Sequence, residues 1–234
     1  YEGVYVVFWW HGIPLGEKQF SSAELPLSVR QLANIALKAI APAVGYHLLE
    51  QGFQPTLPDF FGNPLPSPPP DFDALVALNR PLAALQEQFS QTPNESVSIV
   101  VCTRDRTEQL AKCLQGLLNL SHTAKEIIVV DNAPSSNATR ELVDKIPGIR
   151  YILEPRLGLS VARNTGIHNC TGDIIAFTDD DAIVHSDWIA RLQYGFRDPK
   201  VLAVTGLVLP AELETEAQLI FQKGSASGEG WGYR

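Results

Sequence analysis

Gly172-Asp173-Ile174-Ile175-Ala176-Phe177-Thr178-Asp179-Asp180-Asp181-Ala182 is an apolar run, Ile174 to Phe177, that ends in three consecutive carboxylates. The run is short, rich in β-branched and aromatic residues, and preceded by a turn-prone Gly-Asp pair, so it reads as a buried strand. Three acids at a strand end repel one another where the dielectric is lowered. Two readings remain open for the triplet alone. It is either a solvated acidic turn or a corner at which a divalent cation relieves the repulsion, and hard oxygen ligands suit Mg²⁺ or Mn²⁺.

Upstream, strand and helix alternate. Strands are predicted over Val97 to Cys102, Glu126 to Val130 and Arg150 to Leu153. Helices are predicted over Thr107 to Leu118, Thr139 to Lys145 and Ser160 to Asn169. Downstream, a helix over Ser186 to Phe196 and a strand over Val201 to Leu209 follow. Such alternation predicts an α/β fold, a mostly parallel sheet with helices on both faces. Ligands of these sheets bind at the carboxyl ends of the strands. Here those ends carry Thr103-Arg104-Asp105-Arg106, Asp131-Asn132 and Asp179-Asp180-Asp181. Singly, each is an ordinary strand-to-loop transition. Together they favour a nucleotide-plus-metal site. Neither GxxxxGK[ST] nor GxGxxG follows the first strand, which argues against a P-loop or dinucleotide fold. Phosphates would fall instead to the cation and to Arg156 or Arg163.

The first half of the chain reads differently. Val4 to Trp10 and Lys18 to Phe20 predict a hairpin around a Gly12 to Gly16 turn. Ser21 and Ser22 are candidate caps for a helix from Leu27 to Gln51 that Pro42 kinks or splits. His11 beside Trp9 and Trp10 reads as a turn residue. Seven prolines between Pro55 and Pro70 predict a stiff linker. The expected organisation is an N-terminal α+β module over 1–53, a Pro-rich linker and helix over 54–95, and an α/β nucleotide-binding domain over 96–234, incomplete at its C-terminus.

The 234 residues carry a net charge of −8, with no basic face for a nucleic-acid backbone. Cys102, Cys113 and Cys170 are odd in number and lack metal-ligand spacing, which predicts reduced thiols in a cytoplasmic protein, free or at a membrane surface. No apolar run reaches the ~18 residues of a membrane span.

The motifs also carry a family resemblance. Val97 to Arg106 resembles the opening strand of family 2 glycosyltransferases of the GT-A fold, and Glu126 to Asn132 the second strand. Gly158-Leu159-Ser160-Val161-Ala162-Arg163-Asn164-Thr165-Gly166 resembles the family's helix entry, and Thr178 to Asp181 its DxD motif. The match covers about residues 96–222. It implies contacts to a nucleoside-diphosphate sugar from Thr103, Arg104, Asp105, Asp131, Arg163, Asp179 and Asp180. It also implies Mn²⁺ or Mg²⁺ at Asp180 and Asp181. Arg163 either reaches the nucleotide or braces the acidic loop. The implied reaction is sugar transfer to an acceptor hydroxyl with inversion, the acceptor being a saccharide, lipid or protein.

One part of the family pattern is missing. An acceptor hydroxyl needs a base, which in the family lies well beyond the DxD motif. Glu212, Glu214 and Glu216 sit too close to the last predicted strand and read as a solvated helix start, so the catalytic base is unidentified. The alternatives are a sugar nucleotidyltransferase and an inactive nucleotide-sugar-binding or assembly module. The first needs a Gly-rich loop after the opening strand, and Thr103 to Thr107 has no glycine.

Overall fold

The computed structural model describes residues 3–50 and 95–218, with the isolated positions 83 and 220. The Pro-rich linker and most of the helix expected after it lie outside the described residues. The chain divides into two compact units, 1–90 with 206–234, and 91–205.

In the first unit, β1 (Gly3–Trp10) and β2 (Ile13–Ser21) pair antiparallel. The second strand is longer than predicted, and the turn is confined to His11, at φ 49°, and Gly12. Ile13 and Leu15 are buried against Ile40, Ala43 and Val44 of α1 (Val29–Glu50), so the residues expected in the turn are core residues of the strand. A second correction concerns the cap. Ser21 caps a single 3-10 turn, whereas α1 opens on Ser28, whose Oγ accepts from the Gln31 amide while its own amide donates to Gln31 Oε1. A third concerns Pro42, which neither splits nor ends α1. Pro42 and Lys38 are both exposed, so the carbonyl deprived of its i→i−4 partner has access to water.

The second unit is the predicted α/β sheet. Its strands β3 (Val97–Thr103), β4 (Glu126–Asn132), β5 (Ile149–Glu154) and β6 (Ile174–Asp179) stand in the order β5-β4-β3-β6, all parallel. The connecting helices are α2 (Thr107–Leu118), α3 (Ala138–Val143) and α4 (Leu159–Asn169), and α5 (Trp188–Gly195) follows β6. Period-2 alternation assigns the two faces. Ile99, Val101, Ile127 and Val129 pack with Leu110 and Leu114 of α2, Val143 of α3 and Ile189 of α5. Val100, Ile128 and Val130 pack on the other face with Ala162 of α4. There α4 approaches closely, since a Cβ on Gly166 would lie 2.5 Å from Val100 Cγ1. Burial on both faces explains why β3 and β4 are continuous apolar runs.

The strand expected over 201–209 is absent. Residues 201–210 have no regular structure, with Leu202 and Val208 exposed while Val204 packs on the main core. A β-type sequence forms a strand only where a neighbour accepts its backbone groups, and none pairs with this stretch among the described residues.

Candidate active site: a polar rim at the strand ends

Register sets the site. Thr103 lies opposite Asp131, Cys102 opposite Asp179, and Asn132 opposite Glu154. The parallel strands therefore deliver their polar terminal residues to one rim of the sheet.

At the β3–β6 end, the Ala182 amide donates to the Asp179 carbonyl, closing a turn that carries the three acids. They differ sharply in environment. Asp180 is buried, and both its oxygens are engaged: Oδ2 accepts from Thr103 Oγ1 at 2.7 Å and Oδ1 from Arg106 Nη1 at 2.8 Å. Asp181 is half exposed and takes Arg106 Nη2 on Oδ2 at 2.8 Å. Asp179 is exposed and lies 3.6 Å from Arg163 Nη2. The Arg106 fork thus spans two adjacent carboxylates, and this pairing holds its guanidinium above the ordinary arginine range.

At the β4–β5 end, Asp131 is fully buried. Its Oδ2 accepts from the Tyr151 hydroxyl at 2.9 Å. Its Oδ1 is buried with no hydrogen-bond partner among the described residues. Desolvation raises the Asp131 carboxyl above its ordinary value, and burial plus that hydrogen bond push Tyr151 up to about 12. Glu154 is the opposite case. It accepts from the Arg156 amide, from Arg156 Nε and Nη2, and from Thr165 Oγ1, chiefly the Arg156 bonds lowering it to about 2. Asn132 completes this corner by donating to the Arg156 carbonyl and accepting the Gly158 amide. Gly158, at φ 139°, makes the turn into α4 that an L side chain would strain.

The predicted site residues fall into separate groups. Thr103 meets Asp180 directly, Arg106 joins Asp180 to Asp181, and Arg163 faces Asp179. Arg104 and Asp105 turn to the β4–α3 loop, where Arg104 Nε donates to the Ala133 carbonyl and Asp105 accepts from the Ser135 amide and hydroxyl. Arg156, expected to reach phosphates, gives its guanidinium to Glu154. A cavity of about 530 Å³ opens beside that loop, between Ser135, Ser136, Asn137, Arg140, Tyr151 and Leu153, and none of the three acids lines it. Arg106, Asn132, Tyr151 and Glu154 were not predicted as site residues. Arg106 and Asn132 had a legible signal as polar residues at strand ends, Arg106 also as a cation in a sheet whose other strand end is triply acidic.

Cys102 and Cys113 are pushed up to about 11 by burial, so neither is a ready thiolate nucleophile at neutral pH. No cluster of three or more metal-ligating side chains occurs among the described residues. A Mg²⁺-type ion needs no such cage, since one or two carboxylates and the phosphates of its ligand suffice. The half-exposed Asp181 and exposed Asp179 fit that requirement, while Asp180 has both oxygens occupied by protein donors. No described helix is long and apolar enough to cross a membrane.

The succinoglycan biosynthesis protein ExoM of Rhizobium meliloti is 41% identical over 125 residues, covering 50% of this chain and 40% of ExoM. The amylovoran biosynthesis glycosyltransferase AmsE of Erwinia amylovora is 32% identical over 112 residues, 46% of this chain and 42% of AmsE. The chain thus spans less than half the length of these curated relatives. Among solved structures, a mannosyltransferase of Pyrobaculum calidifontis, in complex with GDP-Man and Mn²⁺, is 22% identical with a TM-score of 0.42, covering 55% of this chain and 44% of that one. The model of the family described as glycosyl transferase family 2 matches residues 98–218, just over half of the sequence and all of the described rim. The chain belongs to glycosyl transferase family 2.

Proposed function

We propose that this chain carries the donor-binding half of a glycosyltransferase that moves a sugar from a nucleoside diphosphate to an acceptor hydroxyl with inversion. The observation that carries this reading is the convergence of Thr103, Asp131 and the Asp179–Asp181 turn on one rim of a parallel sheet. Asp131 offers a buried acceptor to a base N–H or ribose hydroxyl. Asp179 lies on the exposed side, where a ribose would meet it, with Arg163 beside it for the nucleotide. Arg104 and Asp105 shape the nucleotide side of the site by fastening the β3–α2 loop to the β4–α3 loop. Asp181, backed by Asp180, would hold Mg²⁺ or Mn²⁺. Such an ion, when bound with the diphosphate, supplies Lewis-acid stabilisation of the leaving group's charge. The base that accepts the acceptor's proton is not assigned to a residue of this chain. Three free thiols support a cytoplasmic location.

Calorimetric titration with several nucleoside diphosphates, with and without Mn²⁺, tests the reading. Wild type is expected to bind at least one of them in a Mn²⁺-dependent way, and Asp180→Ala/Asp181→Ala to lose that binding. Absence of binding to every nucleotide overturns the proposal, and metal-independent binding unaffected by the double substitution overturns the metal assignment.

A further inference from the structure

Arg106 occupies a position that helix electrostatics disfavours. It is the residue immediately before α2, and its carbonyl accepts the helix's first hydrogen bond, from the Leu110 amide at 3.0 Å. A helix N-terminus carries partial positive charge, so anions are favoured there and a cation is not. The guanidinium is compensated from the next strand end, where Asp180 takes Nη1 and Asp181 takes Nη2, each at 2.8 Å. Asp180 is fixed from a third direction by Thr103, so its carboxylate has a donor on each oxygen. The geometry also ties the corner to the core. Leu110, Cys113, Leu114 and Leu117 of α2 are buried, and Cys113 Sγ reaches the Asp179 carbonyl at 3.5 Å.

We infer that Arg106 is a positioning residue for the acidic turn: with Thr103 it locks Asp180 inward and presents Asp181, rather than Asp180, to the cation of the donor. The inference rests on the proposed function and assigns unequal roles to the two acids. Asp180 is saturated by protein donors. Asp181 is half exposed and, among the described residues, bonded through one oxygen only. The fork geometry matters as much as the charge, because a lysine ammonium carries its donors on one nitrogen at the end of a flexible stem and lacks the rigid planar fork that meets two carboxylates side by side.

The test has two arms on the full chain. In the first, without ligand, amide hydrogen exchange is followed across residues 179–182 in wild type, Arg106→Ala and Arg106→Lys. Faster exchange there in both variants, with β3 to β5 unchanged, is expected, and no change overturns the lock. In the second, Mn²⁺ uptake in the presence of UDP or GDP is read by electron paramagnetic resonance. Arg106→Ala is expected to weaken Mn²⁺ binding at least about tenfold, as loss of a residue that orients a metal ligand commonly does, with Arg106→Lys intermediate. Asp181→Asn is expected to abolish uptake and Asp180→Asn only to weaken it. Equal or tighter Mn²⁺ binding by Arg106→Ala, or the reverse ranking of the two Asp variants, overturns this inference alone. Wild type that takes up no Mn²⁺ with either nucleotide overturns the proposed metal site as well.

Discussion

Asp131 and Glu154 end neighbouring strands, both buried, yet they are opposites. Glu154 accepts four hydrogen bonds and its carboxyl falls to about 2, whereas Asp131 has an oxygen with no partner among the described residues and a carboxyl raised by desolvation. The acidic turn repeats the contrast within two residues, Asp180 with both oxygens occupied and Asp181 half open. Burial of an acid therefore does not identify a binding group. A saturated carboxylate is a brace, and one with spare acceptor capacity is where a ligand's donor or cation is favourable. By this criterion Glu154 and Asp180 are scaffold, and the proposed function assigns the contacts with a donor to Asp131 and Asp181.

The sharpest way to break the contrast is at Asp181. Asp181→Asn is expected to lower sugar transfer by about 10²–10³-fold, the usual size of losing one stabilising group at a developing charge. Steady-state turnover of a bound nucleotide-sugar checks it, and wild-type rates in the variant would place the open carboxylate elsewhere.

Asp131→Asn should cut nucleotide affinity by about 10–100-fold, since a hydrogen bond to a charged group is worth about 1.5–3 kcal/mol. The same substitution should stabilise the free chain. Because the folded-state value lies above 3.8, the carboxyl's favourable contribution is complete below pH 3.8 and is lost as pH rises through the raised value. At pH 7 the buried charge is a net cost. Its removal should raise Tm by about 2–4 °C, with the gain shrinking toward pH 3. Calorimetry and thermal melts on one preparation test both halves, and a lower Tm at pH 7 would remove the distinction between open and saturated acids.

Saturated acids should respond in the opposite sense. Thr103→Val leaves one oxygen of buried Asp180 without its donor, so stability should fall by about 1–3 kcal/mol, with Thr103→Ser restoring most of it in urea unfolding. Glu154→Gln should be mildest. The Glu154 contribution is present above pH 4.5 and is lost as pH falls through about 2, so variant and wild type should differ at neutral pH and converge in acid. Faster amide exchange confined to 155–158 is the accompanying signature.

Much of the fold was legible because the central strands are buried on both faces and the strands announce themselves as β-branched runs bounded by polar ends. Val97–Thr103, Glu126–Asn132 and Ile174–Asp179 needed only that pattern. The same pattern misled at 201–209, where apolar residues found no edge to pair with among the described residues. Pro42 likewise reads locally as a break, yet α1 tolerates it on an exposed face.

The chemical types at the strand ends and their order along the chain belong to the sequence alone, because strand periodicity and polar termini are local properties, and the resemblance of four motifs pointed to the family. Tertiary structure alone decided which acid is exposed, which is locked and which is half open. Asp179, Asp180 and Asp181 are indistinguishable as letters. They become exposed, locked and half open only because Thr103 and Arg106, more than seventy residues away in sequence, meet one of them fully and one of them in part. Hydrogen-bond saturation depends on what folding places around a group, and the residue's identity does not contain it.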